Sequence, residues 1–104
     1  MITFDNLAFV EHPALGDIYK GTIQALIMFD NGYGVSVVTG PAGCGLYSNI
    51  KEGTYEIAAI KGNSLKWDLV YPKGTSFEVD VLGHKTPEEI TKLMAELQKL
   101  PPCK

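Results

Sequence analysis

The run Thr22-Ile23-Gln24-Ala25-Leu26-Ile27-Met28-Phe29-Asp30-Asn31-Gly32-Tyr33-Gly34-Val35-Ser36-Val37-Val38-Thr39 decides how this chain folds. At its centre Asn31-Gly32 is a pair suited to the positive φ angles of a type I′ turn, and apolar strand formers flank it on both sides. The spacing predicts antiparallel strands over Thr22 to Asp30 and Tyr33 to Thr39, joined by a two-residue loop. Pairing outward from that loop sets Phe29 opposite Gly34, Met28 opposite Val35, Ile27 opposite Ser36 and Leu26 opposite Val37. One face then carries Leu26, Met28, Val35 and Val37, and the other Ile23, Ala25, Ile27, Phe29 and Val38. A half-exposed sheet alternates apolar with polar residues, so a hairpin apolar on both faces needs cover on both. The expected covers are the C-terminal helix on one side and a loop or a second subunit on the other.

A second hairpin is expected from Thr54 to Ile60 and Leu65 to Tyr71. A three-residue loop, Gly62-Asn63-Ser64, places Tyr55, Ile57 and Ala59 opposite Tyr71, Leu69 and Trp67, which gathers one apolar face. Phe77, Val79 and Val81 alternate with Glu78, Asp80 and Leu82, the pattern of a short further strand at an edge. Thr86-Pro87-Glu88-Glu89 supplies an N-cap hydroxyl, Pro at the first helical position and Glu at N3, a capping box. Ile90, Leu93, Met94, Leu97 and Leu100 follow at spacings of three and four, the apolar stripe of a helix that ends at Pro101-Pro102.

Strands followed by a helix indicate an α+β fold: a mainly antiparallel sheet of four to six strands built from two hairpins, with one C-terminal helix packed on it. The 104 residues make a single domain. Residues 1–21 form an N-terminal arm or strand, 22–82 the sheet, 86–100 the helix and 101–104 a tail.

Nine Lys against twelve Asp plus Glu give a net charge of −3, and none of the basic residues is Arg. Arg is the usual device for gripping phosphates and reading guanine edges, and no two Lys are adjacent, so nucleic acid and membrane surfaces are disfavoured as partners. The apolar run Ala25 to Phe29 is far short of the ~20 residues that cross a bilayer. The acidic start, Met1-Ile2-Thr3-Phe4-Asp5, has no export-signal pattern, and two cysteines make no disulfide framework. Cys44 and Cys103 are therefore expected as thiols in a reducing cytoplasm.

Gly40-Pro41-Ala42-Gly43-Cys44-Gly45 copies the glycine spacing of a phosphate-binding loop, but Leu46 and Tyr47 stand where Lys and Ser or Thr belong. A small-molecule or nucleotide module using Gly40 to Gly45 is an alternative function, and a hydrolase using Cys44 with His12 or His84 a third. His12 beside Pro13 reads as a turn residue, and His84 beside Gly83 as a loop residue. No short ligand spacing among these residues suggests a metal, and no cofactor is implied. Glu88 and Glu89 sit in the first helical turn, where capping explains them, and no catalytic residues are assigned.

Five Tyr and one Trp cannot all sit at the centre of a core, because their polar ends need partners or water. Tyr33 and Tyr47 flank the hairpin turn and the Gly-rich loop, where rigid aromatics can anchor a protein partner. With Ile27, Phe29 and Val38 of the second hairpin face they form the candidate interface.

Three segments then carry a resemblance: Asn31 to Val38, Gly53 to Gly62, and Asp80 to Ile90. In that order they resemble a family of small uncharacterised bacteriophage and prophage proteins, over residues 22–100 and without catalytic motifs. The Gly-rich segment Pro41 to Lys51 departs from the family pattern. The resemblance implies a small accessory protein of the bacterial cytoplasm that works by contacting a host or phage protein, as adaptor or inhibitor, or a second copy of itself.

Overall fold

The computed structural model describes residues 1–13, 20–43, 46–63 and 65–103. Strands β1 (Val10–Glu11), β2 (Ile23–Met28), β3 (Tyr33–Thr39), β4 (Tyr55–Gly62), β5 (Trp67–Leu69) and β6 (Leu82–Lys85) form one antiparallel sheet, followed by helix α1 (Pro87–Gln98). The fold is thus α+β, with the helix packed on one face of the sheet. Strand order is β1-β2-β3-β4-β5, and β6 pairs with the other half of β4.

The helix begins as its capping box dictates: Thr86 Oγ1 accepts the Glu89 N–H, and the Glu89 carboxylate accepts the Thr86 N–H. Its stripe Ile90, Leu93, Met94 and Leu97 is buried against Phe29, Val35, Val37, Ile57 and Ala59 of the sheet. Each such side chain contributes about 1.5–3 kcal/mol by leaving water. The N-terminal arm straps along one flank of the helix, on the same sheet face. Ile2 exchanges hydrogen bonds with the Gln98 side-chain amide (2.9 and 2.7 Å), and the Phe4 N–H donates to Thr91 Oγ1. Phe4, Phe9 and Tyr55 then cluster, their ring centroids 5.0–6.0 Å apart.

The structure corrects the first hairpin by one residue. Met28 stands opposite Gly34, Ile27 opposite Val35, Leu26 opposite Ser36 and Ala25 opposite Val37. Three residues, Asp30-Asn31-Gly32, make the turn: the Phe29 N–H donates to the Tyr33 carbonyl, and Gly32 alone of the three has positive φ, +87°. Asn31 serves another purpose than left-handed backbone. Its side-chain amide donates to the Leu97 and Leu100 carbonyls (2.8 and 3.1 Å), satisfying the end of the helix, while its Oδ1 accepts the Tyr33 N–H. A one-residue slip moves every side chain to the other face.

The second hairpin is corrected too. Ile60 pairs with Leu69, Lys61 with Asp68 and Gly62 with Trp67, leaving four residues in the loop where three were expected. Gly62 takes φ +120°, and Asn63 Oδ1 accepts the N–H groups of Leu65 and Lys66. Tyr71, Leu69 and Trp67 therefore do not face Tyr55, Ile57 and Ala59. No strand runs through residues 77–81. Hydrogen bonds from Thr75 N–H to Pro72 and from Glu78 N–H to Thr75 curl the chain, so Phe77 drops into the core while Val79 is 89% exposed.

His84, expected in a loop, lies in β6 with φ +53°, the one described non-glycine residue in that region, where the β4–β6 register shifts. His12 leads from β1 into the turn at Pro13, its N–H donating to the Thr22 carbonyl.

Candidate interaction surface

Side chains alternate across a strand, so the register fixes which residues look away from the helix. Two rows matter. Leu26, Ser36 and Ala58 stand side by side across β2, β3 and β4, and Met28, Gly34, Ile60 and Leu69 form a row from β2 to β5. Trp67 sits beside the second row on the same face. Helix α1 lies on the opposite face, against the side chains of alternate parity. Apolar residues thus occupy positions that a one-sided sheet fills with polar ones.

Gly34 is required in that row. A Cβ there would strike the Ile27 carbonyl and lie 2.6 Å from Met28 Sδ, so the thioether fills the space that a side chain would take. Ile60, flanked by this arrangement, is fully buried, while Leu26, Met28 and Trp67 are half-buried and Leu69 is 48% exposed. The polar members of the face satisfy each other: Gln24 Nε2 donates to Ser36 Oγ at 2.9 Å, and both are buried.

The five residues singled out from sequence do not share one surface. Phe29 is buried in the helix-side core, with Ile27 and Tyr33 packed against it; Val38 is buried on the opposite face. Tyr47 lies elsewhere, 64% exposed. Its carbonyl accepts the His84 N–H (2.7 Å), its N–H donates to the Glu56 carboxylate, and its Cβ leaves no space for a side chain at Gly83. Tyr33 is anchored by the tail: the Cys103 N–H donates to the Asn31 carbonyl (2.6 Å), bringing the thiol to the phenol. Burial first, and then the neighbouring Cys103, raises the Tyr33 pKa above the usual tyrosine value.

Reading from sequence missed Trp67, Leu69 and Met28 as outward residues, because parity hung on two loop lengths. The signals present were Asn63, whose amide oxygen organises a longer loop, and Gly62 before it.

At the Gly-rich loop, the Gly40 carbonyl accepts the Ile50 N–H and Gly43 has φ +84°; Cys44 and Gly45 lie outside the described residues. The chain beyond passes through Tyr47 to a short 3-10 turn at Ile50–Glu52 instead of the helix that a phosphate loop feeds. The hydrolase reading rests on Cys44 and so also falls outside the described residues. Among the described residues no three His, Cys, Asp or Glu side chains gather into a metal-holding group, and no helix is long and apolar enough to cross a membrane. No family model, curated protein or solved structure matches this chain.

Proposed function

We propose that this is a small non-catalytic accessory protein that works by binding another protein on the sheet face away from α1. The observation that carries the reading is the row Met28, Gly34, Ile60, Leu69 with Trp67 beside it, apolar where a one-sided sheet is polar. From β2 to β5 the row crosses three inter-strand gaps, about 14 Å, with half-buried Met28 and Trp67 and exposed Leu69 around a buried Ile60. Its Trp and Met are residue types enriched at protein interfaces. The resemblance to bacteriophage and prophage proteins supports a setting in the bacterial cytoplasm, with a host or phage protein as partner.

The test compares proteins retained from a bacterial lysate by the native chain and by Met28→Lys, whose fold is checked by circular dichroism. The expected result is one protein held in stoichiometric amount by the native chain and lost from the variant. Equal retention by both, or none by either, contradicts the reading.

A further inference from the structure

The outer edge of β5 is open, and its atoms define what fits there. Val70 N–H donates to the Ala59 carbonyl and Asn63 N–H to the Lys66 carbonyl, which sets the alternation of the β4–β5 ladder. Residues 66, 68 and 70 turn their backbone groups toward β4, so the N–H and C=O of Trp67, Leu69 and Tyr71 point away from it. The chain runs on without turn or bend to Pro72, and among the described residues no strand pairs with this side. An edge of this kind is a template for another strand, and apart from the shortness of β5 it lacks the usual protection: no bulge, no inward charge at 67, 69 or 71, and no Pro before residue 72.

The edge is also close to a palindrome. Trp67-Asp68-Leu69-Val70-Tyr71 reads aromatic, other, Leu, other, aromatic from either end, so an antiparallel two-fold pairing centred on Leu69 sets Leu against Leu and aromatic against aromatic. We propose that two copies of this chain join through β5, antiparallel, with Leu69 opposite Leu69 at the two-fold axis, to make one continuous sheet.

The register centred on Leu69 pairs the most outward backbone groups. Centred on Leu69, the three outward residues of each copy all find partners: Leu69 N–H donates to the Leu69 carbonyl of the other copy and the reverse. Trp67 exchanges both its bonds with Tyr71 at each end, giving six backbone hydrogen bonds in all. A shift that sets Trp67 opposite Leu69 puts Asp68 directly opposite Asp68, like charges in contact. A shift that centres on Trp67 needs residues 65 and 66 to extend, but their N–H groups are committed to Asn63 Oδ1. In the Leu69 register, Asp68 faces Val70, and the Trp–Tyr and Leu–Leu pairs fall on the open face, where Leu69 and Tyr71 are 48% and 46% exposed in the single chain. The pairing uses backbone groups at the edge and stands whether or not the open face holds another protein.

The test is run on the purified full chain, with native mass and amide hydrogen exchange measured from about 10 µM to 1 mM, a range suited to a short interface. A dimer should appear as concentration rises, and the Trp67, Leu69 and Tyr71 amides should slow about tenfold or more, while Asp68 and Val70, already bonded to β4, stay unchanged. Leu69→Lys, which sets like charges opposite each other at the axis, should abolish the dimer; Leu65→Lys, the same change at a more exposed loop site outside the pairing, should leave it intact. A monomer at every concentration overturns the proposal. So does a dimer whose three outer amides exchange at the monomer rate, because it uses another surface.

Discussion

The two faces of this sheet are built from neighbouring residues of the same strands, yet they meet different surroundings. On one, Val35, Val37, Ile57 and Ala59 are sealed by α1 and by Phe77, all essentially without exposure. On the other, Leu26, Met28, Trp67 and Leu69 retain access to water, and the only polar residues among them bond to each other or lie at the end of the sheet. Apolar character alone therefore does not tell a core from an interface. What differs is the cover: α1 lies on the first face, while on the second Ile60, Ala58, Val38, Ser36 and Gln24 are buried and the flanks at Leu26, Met28, Trp67 and Leu69 reach water.

The largest effect that would sharpen this contrast is Phe77→Ala. Emptying a site 1% exposed in the sealed layer should cost about 3–5 kcal/mol in urea unfolding. Gly34→Ala tests the open face where it is most tightly built: a Cβ pressed on the Ile27 carbonyl and Met28 Sδ should cost about 1–3 kcal/mol. Asn31→Ala removes the link between the hairpin turn and the helix end. Two carbonyls lose their donor, so we expect about 1–2 kcal/mol and faster exchange of the last-turn amides of α1. Leu69→Lys on the open face should change unfolding by less than about 1 kcal/mol while removing association, the reverse of the Phe77 outcome.

The smallest effect is one of pH. The Thr86 N–H, donating to the Glu89 carboxylate, holds its pKa below the usual glutamate value. A lowered folded pKa means that the carboxylate's contribution is present above the unfolded value and lost as pH falls through the folded one. Glu89→Gln keeps an acceptor for the cap but cannot titrate, so its stability should fall less steeply than the native protein's across that acidic window.

The helix was legible, its start to the residue, because a capping box and a 3-4 spacing are local signals; its end falls at Gln98, two residues short of Leu100. The strands of both hairpins were legible as strands for the same reason. Their faces were not, because parity depends on turn length, and each turn was settled by contacts that no local pattern reveals. Asn31 reaches 66 residues along the chain to the Leu97 carbonyl, and Asn63 folds its oxygen back on its own loop. Phe77 shows the converse error. Its alternation with Val79 and Val81 looked like a strand, but one residue anchors a curled segment and the next apolar one stands in solvent. The candidate surface inherited those slips: Phe29 moved into the core, and Trp67 and Leu69 moved out of it.

The central claim is that one sheet face is sealed by α1 while on the other an apolar strip at Leu26, Met28, Trp67 and Leu69 reaches solvent beside a buried Ile60. Trp67 is the only tryptophan in the chain and lies on the second, so its fluorescence reports that face without labels. The measurement is acrylamide quenching of Trp67 in dilute native protein. Ready quenching, on the scale of a half-exposed indole, is the result this account predicts. A Trp67 that the quencher cannot reach in the dilute chain would mean that the face is already covered, and would contradict it.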